Sequence, residues 1–421
     1  MEKAQYESFI KILSDELIPA LGCTEPIAIA YGSAVASSLL GEDVESGVVE
    51  ASGNIIKNVK GVVVPSSGGM KGIEAAAALG AIGGDPKLEL EVLSSVTEED
   101  IKRAKILMRN IQVRLLSSDC KLHLIITLKS KSHVATVEIA GSHTNIVRKE
   151  LDGKTLFLKT YSEEKGSLSG YDELTVESIV DFAENVDLDR VAPILERQIE
   201  LNSAIAKEGL SGNWGVSVGK NIVKYCGCGV NTMARAAAAA GSDARMSGCL
   251  SPVVINSGSG NQGITVTMPV VVYAEYLKAS HERLLRALVI SNLISIHQKQ
   301  KIGRLSAYCG AVSASSGAGA AITWLKGGSL SMIKSTMVNT LANVSGIICD
   351  GAKPSCAAKI ASALDAALMA DMLTFEHETF SSGDGIVKDD IEATIDSVGE
   401  IARKGMESTD KTILEVMISK E

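Results

Sequence analysis

Three cysteines in the last third of this 421-residue chain, Cys309, Cys349 and Cys356, are the residues best placed to do chemistry. Two of them close the segment Cys349-Asp350-Gly351-Ala352-Lys353-Pro354-Ser355-Cys356, in which Asp350-Gly351 demands a turn and Lys353-Pro354 precedes a helix. Both thiolates can then face one point, and Cys309, followed by Gly310, can join them. The pattern looks like a nest for a metal cluster. Three thiolates leave one iron of a cubane open, which suits a Lewis-acid enzyme and not an electron carrier.

A second signal is Gly22-Cys23-Thr24-Glu25-Pro26. Thr24 is expected to cap a helix, Pro26 suits its first turn, and Ile27 to Leu40 is an apolar, helix-compatible run. Cys23 would then lie at a helix N-terminus. The dipole there is worth about 0.3–1 kcal/mol, less than one pKa unit at about 1.4 kcal/mol per unit. A cation or metal must supply the rest if Cys23 is to be a base.

Two glycine-rich loops are shaped to hold anions ahead of helices. In Pro65-Ser66-Ser67-Gly68-Gly69-Met70-Lys71-Gly72, the loop N–H groups near Ser67, Gly68 and Gly69 combine with the Lys71 ammonium. The segment Asn256-Ser257-Gly258-Ser259-Gly260-Asn261-Gln262-Gly263 offers the same geometry with Asn261 and Gln262. Neither matches a P-loop or a dinucleotide fingerprint, and both could be simple caps. Gly141-Ser142-His143-Thr144-Asn145 could set an imidazole and hydroxyls at a strand end, or be a turn only. Cys226-Gly227-Cys228 is too tight for a redox C-x-x-C pair, so packing is the simpler reason for it. Cys120 is read as a small buried hydrophobe, and His281 and His297 as surface residues on helices.

The elements that must position these groups fall into three stretches. Residues 1–85 read as helix, turn, helix, a short extended segment and a glycine loop opening an Ala-rich helix. From Leu88 the texture alternates: strand at Leu88–Leu93, helix at Glu98–Asn110, strands at Val113–Leu116, His123–Leu128 and Val134–Ile139. A polar stretch, 160–172, closes this module, and helical periodicity returns from Asp172 and through 190–208. The fold class is therefore α+β: a discontinuous, mainly helical, glycine-rich catalytic domain (1–85 and 190–421) with an inserted α/β module (86–189).

The net charge of −9 and pI near 5.4, with no basic stripe, argue against a nucleic-acid partner. Residues 246–274 and 305–325 are free of charge, yet Pro252, Asn256, Asn261, Gln262 and Pro269 in the first and the Ala/Ser/Gly mix of the second suit packed core helices better than a membrane. Eight cysteines in this length are too few for a disulfide framework, and the start lacks a secretion-signal pattern, so a reducing cytoplasm is expected.

Taken together, these motifs resemble the iron-sulfur L-serine dehydratase superfamily, most closely its single-chain branch that includes L-cysteine desulfidase. The resemblance rests on Gly22–Pro26, Ser67–Gly72, Ser257–Gly263 and Cys349–Cys356 with Cys309 upstream, and spans nearly the whole chain. It implies a 4Fe-4S cluster on Cys309, Cys349 and Cys356 and a β-elimination that turns a small amino acid into a 2-oxo acid and ammonia, with sulfide released when the substrate is cysteine. It implies Cys23 as the base, assisted by Lys71, and a substrate-binding part for Ser142, His143 and Thr144; a homodimer is expected beside it, underived from any residue. Two rival readings stand beside it: a pyridoxal-phosphate lyase using the 258–263 loop for phosphate, and a cluster-bearing sensor without turnover.

Overall fold

The computed structural model describes residues 2–118, 120–159, 170–303 and 306–418. The N-terminal arm runs α1 (Lys3–Glu16), β1 (Pro19–Ala20), α2 (Thr24–Leu40), β2 (Ser46–Ala51), α3 (Gly53–Val59) and α4 (Ile73–Gly83). There follow α5 (Glu98–Leu107) and the strands β3 (Ile111–Leu115), β4 (His123–Lys129), β5 (Val134–Ala140), β6 (Ile146–Leu151) and β7 (Lys154–Leu158). The remainder is helical: α6 (Val176–Asn185), α7 (Ala192–Ser211), α8 (Val218–Cys226), α9 (Val230–Met246), α10 (Gly260–Leu277), α11 (His281–Ile302), α12 (Gly310–Leu325), α13 (Leu330–Asn343), α14 (Cys356–Phe375), α15 (Ile391–Glu400) and α16 (Glu407–Ile418). A two-residue strand, β8 (Val253–Val254), precedes α10. The expected α+β, mainly helical class is what is observed.

The six-stranded sheet has the order β3-β2-β4-β5-β6-β7, with β2–β3 parallel and the other pairs antiparallel. In β4 and β5 every second residue (Leu124, Ile126 and Leu128; Ala135, Val137 and Ile139) is fully buried, the period that one covered face requires. The strand β2 comes from the first arm and pairs between β3 and β4, so this sheet and the helices of residues 1–85 share one core.

Aromatic residues make up only 4% of the chain, and the helical core compensates with close backbone approach. A Cβ on Gly80 of α4 would fall 2.2 Å from the Ala30 carbonyl oxygen of α2. Long Ala/Gly faces thus let helices pack at native density without large side chains.

Four local expectations are corrected. The alternating Leu88–Leu93 is not a strand: Pro86–Glu91 forms 3₁₀ turns, begun where the Asp85 carboxylate accepts from the Lys87 N–H and reversed at Glu89, whose φ is +44°. Cys23, not Thr24, is the N-cap of α2; Thr24 is already helical, and its hydroxyl donates to the Gly258 carbonyl (3.0 Å). His297 is not at the surface but 2% exposed in the middle of the helical bundle, its Nε2 2.6 Å from a Glu392 carboxylate oxygen. The strands β6 and β7 fall where the sequence suggested none. Most of the polar 160–172 stretch, residues 160–169, lies outside the described residues. Of the two charge-free runs, the first contains β8 and most of α10, and no helix among the described residues is long and apolar enough to cross a membrane.

Candidate active site

Cys309, Cys349 and Cys356 come together on the wall of one cavity of ≈ 110 Å³, which Cys23 also lines. Main-chain pairing sets the first two. Tyr308 and Ile348 form an antiparallel bridge, the Cys309 N–H donates to the Ile347 carbonyl (2.8 Å) and the Cys349 N–H to the Ala307 carbonyl (2.6 Å). Cys356 is brought back by the turn after Cys349, which packs so tightly on α3 that a Cβ on Gly351 would lie 2.5 Å from the Lys57 carbonyl oxygen; its φ of +92° also favours glycine. Cys23 and Cys309 are N-caps of α2 and α12, and Cys356 opens α14, so three of the four thiols sit at helix N-termini, where a thiolate is favoured.

The three thiols are electrostatically joined. Cys309 donates a hydrogen bond to Cys349; chiefly through that bond, and against burial, Cys349 is pulled down to about 6, with the Lys57 charge helping. The same bond and burial push Cys309 up, and burial raises Cys356 against the Lys353 N–H that donates to its sulfur. Cations surround the group. Lys57, 2% exposed, donates to the Cys349 carbonyl (3.4 Å) and pairs with Asp410 of α16. Lys299 is lowered to about 8 by burial, which the neighbouring Cys349 and Cys309 oppose. Lys359 reaches the Ile348 carbonyl (2.9 Å) and pairs with Asp350. Such surroundings fit an anionic set of thiolates. No group of three or more His, Cys, Asp and Glu among the described residues is spaced to hold a metal ion as the side chains stand; what the three thiols share is one cavity wall.

Opposite them, Cys23 donates to a Glu25 carboxylate oxygen (3.0 Å). Burial pushes the Cys23 thiol far up and the Glu25 charge adds to this, while Arg245 works the other way. Cys23 therefore rests protonated, and the modest helix-end effect read from sequence is outweighed. Glu25 is buried, which would raise its pKa, but His143, the Cys23 thiol and Arg245 together hold it below the ordinary range. Its other oxygen accepts from Asn58 Nδ2 (2.9 Å), while the Thr24 hydroxyl, shared with the Gly258 carbonyl, lies 3.2 Å from the oxygen that Cys23 faces. The hydrogen bond gives the thiol proton a path to Glu25, uphill in the resting site because Cys23 is raised and Glu25 lowered.

The 256–263 loop closes the third side. It is braced from behind by a buried amide network, Gln198–Asn292–Asn256, and by β8 pairing with β1, which delivers Gly22–Glu25 to the same place. Gly258, Ser259, Asn261 and Gln262 line the cavity, as does Arg245 at the end of α9, whose Nη2 donates to the Gly22 carbonyl (2.6 Å).

Other residues singled out in the sequence lie elsewhere. Gly68, Gly69 and Lys71 are exposed and do not line the cavity; Ser67 is buried but spends its hydroxyl on the Met70 carbonyl (3.2 Å). Ser142, His143 and Thr144 are half-buried in the turn joining β5 to β6, and His143 Cε1 comes within 3.6 Å of where a Cβ on Gly258 would sit. That turn is thus at the rim of the cavity. Cys226 and Cys228 are exposed, whereas Cys120 and Cys249 are buried. Sequence reading gave no part to Glu25, Arg245, Lys57 or Lys299. The available signal was a lone charge inside an apolar stretch, as at Lys57 between Ile55-Ile56 and Val59, or Arg245 directly before the charge-free run.

The family model described as serine dehydratase alpha chain matches residues 87–415. The chain is 54% identical to a UPF0597 protein of Lachnoclostridium phytofermentans over 98% of its own length and 100% of the relative's. It is 49% identical to one of Treponema denticola (99% of each) and 39% identical to one of Aeromonas hydrophila (100% and 98%). The chain belongs to the serine dehydratase alpha chain family.

Proposed function

We propose that this protein is an oxygen-sensitive iron-sulfur lyase that removes the β-substituent of a small amino acid, L-cysteine first, giving pyruvate, ammonia and sulfide. The observation that carries the reading is the meeting of Cys23, Cys309, Cys349 and Cys356 in one lysine-rimmed cavity. Cys309, Cys349 and Cys356 would hold a 4Fe-4S cluster, which supplies, when bound, an open iron as Lewis acid for the departing β-group. Lys57, Lys299 and Lys359 offset the thiolate charge. Cys23 takes the Cα proton after passing its own to Glu25, a transfer along the existing thiol–carboxylate hydrogen bond. Ser142, His143 and Thr144, at the rim, would meet the substrate from the sheet side. In this reading Ser67, Gly68, Gly69 and Lys71 stand outside the chemistry. The protein works as a cytoplasmic homodimer.

The family description favours a second substrate, L-serine, with pyruvate and ammonia as products. Protein purified without air should carry near four irons and four acid-labile sulfides per chain, and should release pyruvate and sulfide from L-cysteine faster than pyruvate from L-serine. The opposite order of rates makes it a serine dehydratase. Iron without turnover of either leaves the sensor reading, and folded, anaerobic protein without iron overturns the proposal.

A further inference from the structure

Arg245 is 4% exposed and acts on the Glu25 carboxylate at a distance, yet among the described residues no carboxylate comes within ion-pair distance of it. One nitrogen, Nη2, is spent on the Gly22 carbonyl; Nε has no protein partner. The guanidinium lies against the start of α10 so closely that a Cβ on Gly260 would fall 2.3 Å from Nε. Guanidinium and helix N-terminus therefore direct positive charge at the same spot in the cavity wall. The first turn of the same helix carries polar groups of the opposite need. Gln262 is 5% exposed and its side-chain carbonyl has no donor, nor has that of Asn261. The Gln262 amide carbon sits 2.4 Å from where a Cβ on Gly310 would be, over the first turn of α12 and next to Cys309.

A buried cation with no carboxylate in contact and buried carbonyls short of donors, in one cavity, describe the complement of a zwitterion. We propose that Arg245 binds the α-carboxylate of an α-amino acid, with the side-chain carbonyls of Gln262 and Asn261 receiving its ammonium. The assignment rests on the lyase reading for its ligand class and adds orientation: the amino end is held toward Cys309 and the carboxylate end toward Gly22.

The test uses L-alanine, which has no β-leaving group, beside L-alaninamide and propionate, which lack the carboxylate charge and the ammonium. Affinities are measured by calorimetry on anaerobic protein with its iron counted. The wild type should bind L-alanine at least about tenfold more tightly than either analogue. Arg245→Met, with wild-type iron, should lose about 10- to 100-fold in L-alanine affinity, the worth of a charge-assisted bond, and should no longer prefer L-alanine to the amide. Gln262→Leu should erase the preference over propionate while keeping that over the amide. If Arg245→Met does not fold, Arg245→Lys and Gly260→Ala carry the test: the first should keep the preference at reduced affinity, the second should weaken it by displacing the guanidinium. Variants with full iron and an unchanged L-alanine to L-alaninamide ratio overturn the assignment while wild-type turnover leaves the lyase reading standing. A fully loaded wild type that binds none of the three compounds and turns over no amino acid overturns both.

Discussion

The two glycine loops, 65–72 and 256–263, read almost alike in sequence and end up in opposite situations. Both precede helices and both carry residues with positive φ. The first stands in solvent at Gly68 and Gly69, and a Cβ on Gly69 would meet nothing. The second is wedged into the core, where a Cβ on Gly263 would lie 2.0 Å from the Val254 carbonyl oxygen, and it turns Asn261 and Gln262 into the cavity. Glycine spacing specifies a backbone shape. What the loop packs against decides whether that shape becomes part of a site.

The contrast can be broken at several strengths. Cys349→Ala, on the cavity wall, should lose iron and turnover together, measured by iron content and pyruvate release. Cys23→Ala should keep its iron and lose turnover by about 10²- to 10⁴-fold, the usual worth of a positioned base; full activity would end its role. Gly263→Ala should destabilise the fold by about 3 kcal/mol or more in urea unfolding, because backbone meets the new methyl group, whereas Gly69→Ala should cost only about 1 kcal/mol of backbone strain. Lys71→Met, on the exposed loop, should change kcat and KM less than about twofold against losses of about 10²-fold for a positioned catalytic group; a larger loss would mean that the exposed loop closes over the cavity in the working enzyme. Finally, in protein stripped of iron, Cys349 should be alkylated before Cys309 and Cys356. Its rate should rise with pH through about 6, since the thiolate reacts and Cys349 is the thiol drawn down.

Much of the helical pattern was legible because it is local: the Glu98 helix and the strands that became β3, β4 and β5 carry their own periodicity. The failures were places where neighbours decided. Leu88–Leu93 alternates like a strand, yet Asp85 and Pro86 wind it into turns. The strands β6 and β7 are mostly unburied, with Leu156, Phe157 and Leu158 exposed, so no alternation of buried and exposed positions marked them. In the site, the three cysteines were legible from residue type and turn chemistry. The state of the Cys23 thiol was not, because burial and Glu25 outweigh the helix end. Arg245 was hidden more deeply, since its hydrogen bond to Gly22 spans 223 residues of sequence.

The pairing of Lys57 with Asp410, which joins α3 to α16 across 353 residues, bears on biosynthesis. Chains are made from the N-terminus, so the cysteines and the lysine leave the ribosome before the aspartate that neutralises that lysine. Until residue 410 is made, Lys57 lacks the carboxylate it pairs with in the finished fold. The thiol-bearing wall is therefore completed only when α16, the last described helix of the chain, has been made and docks on α3.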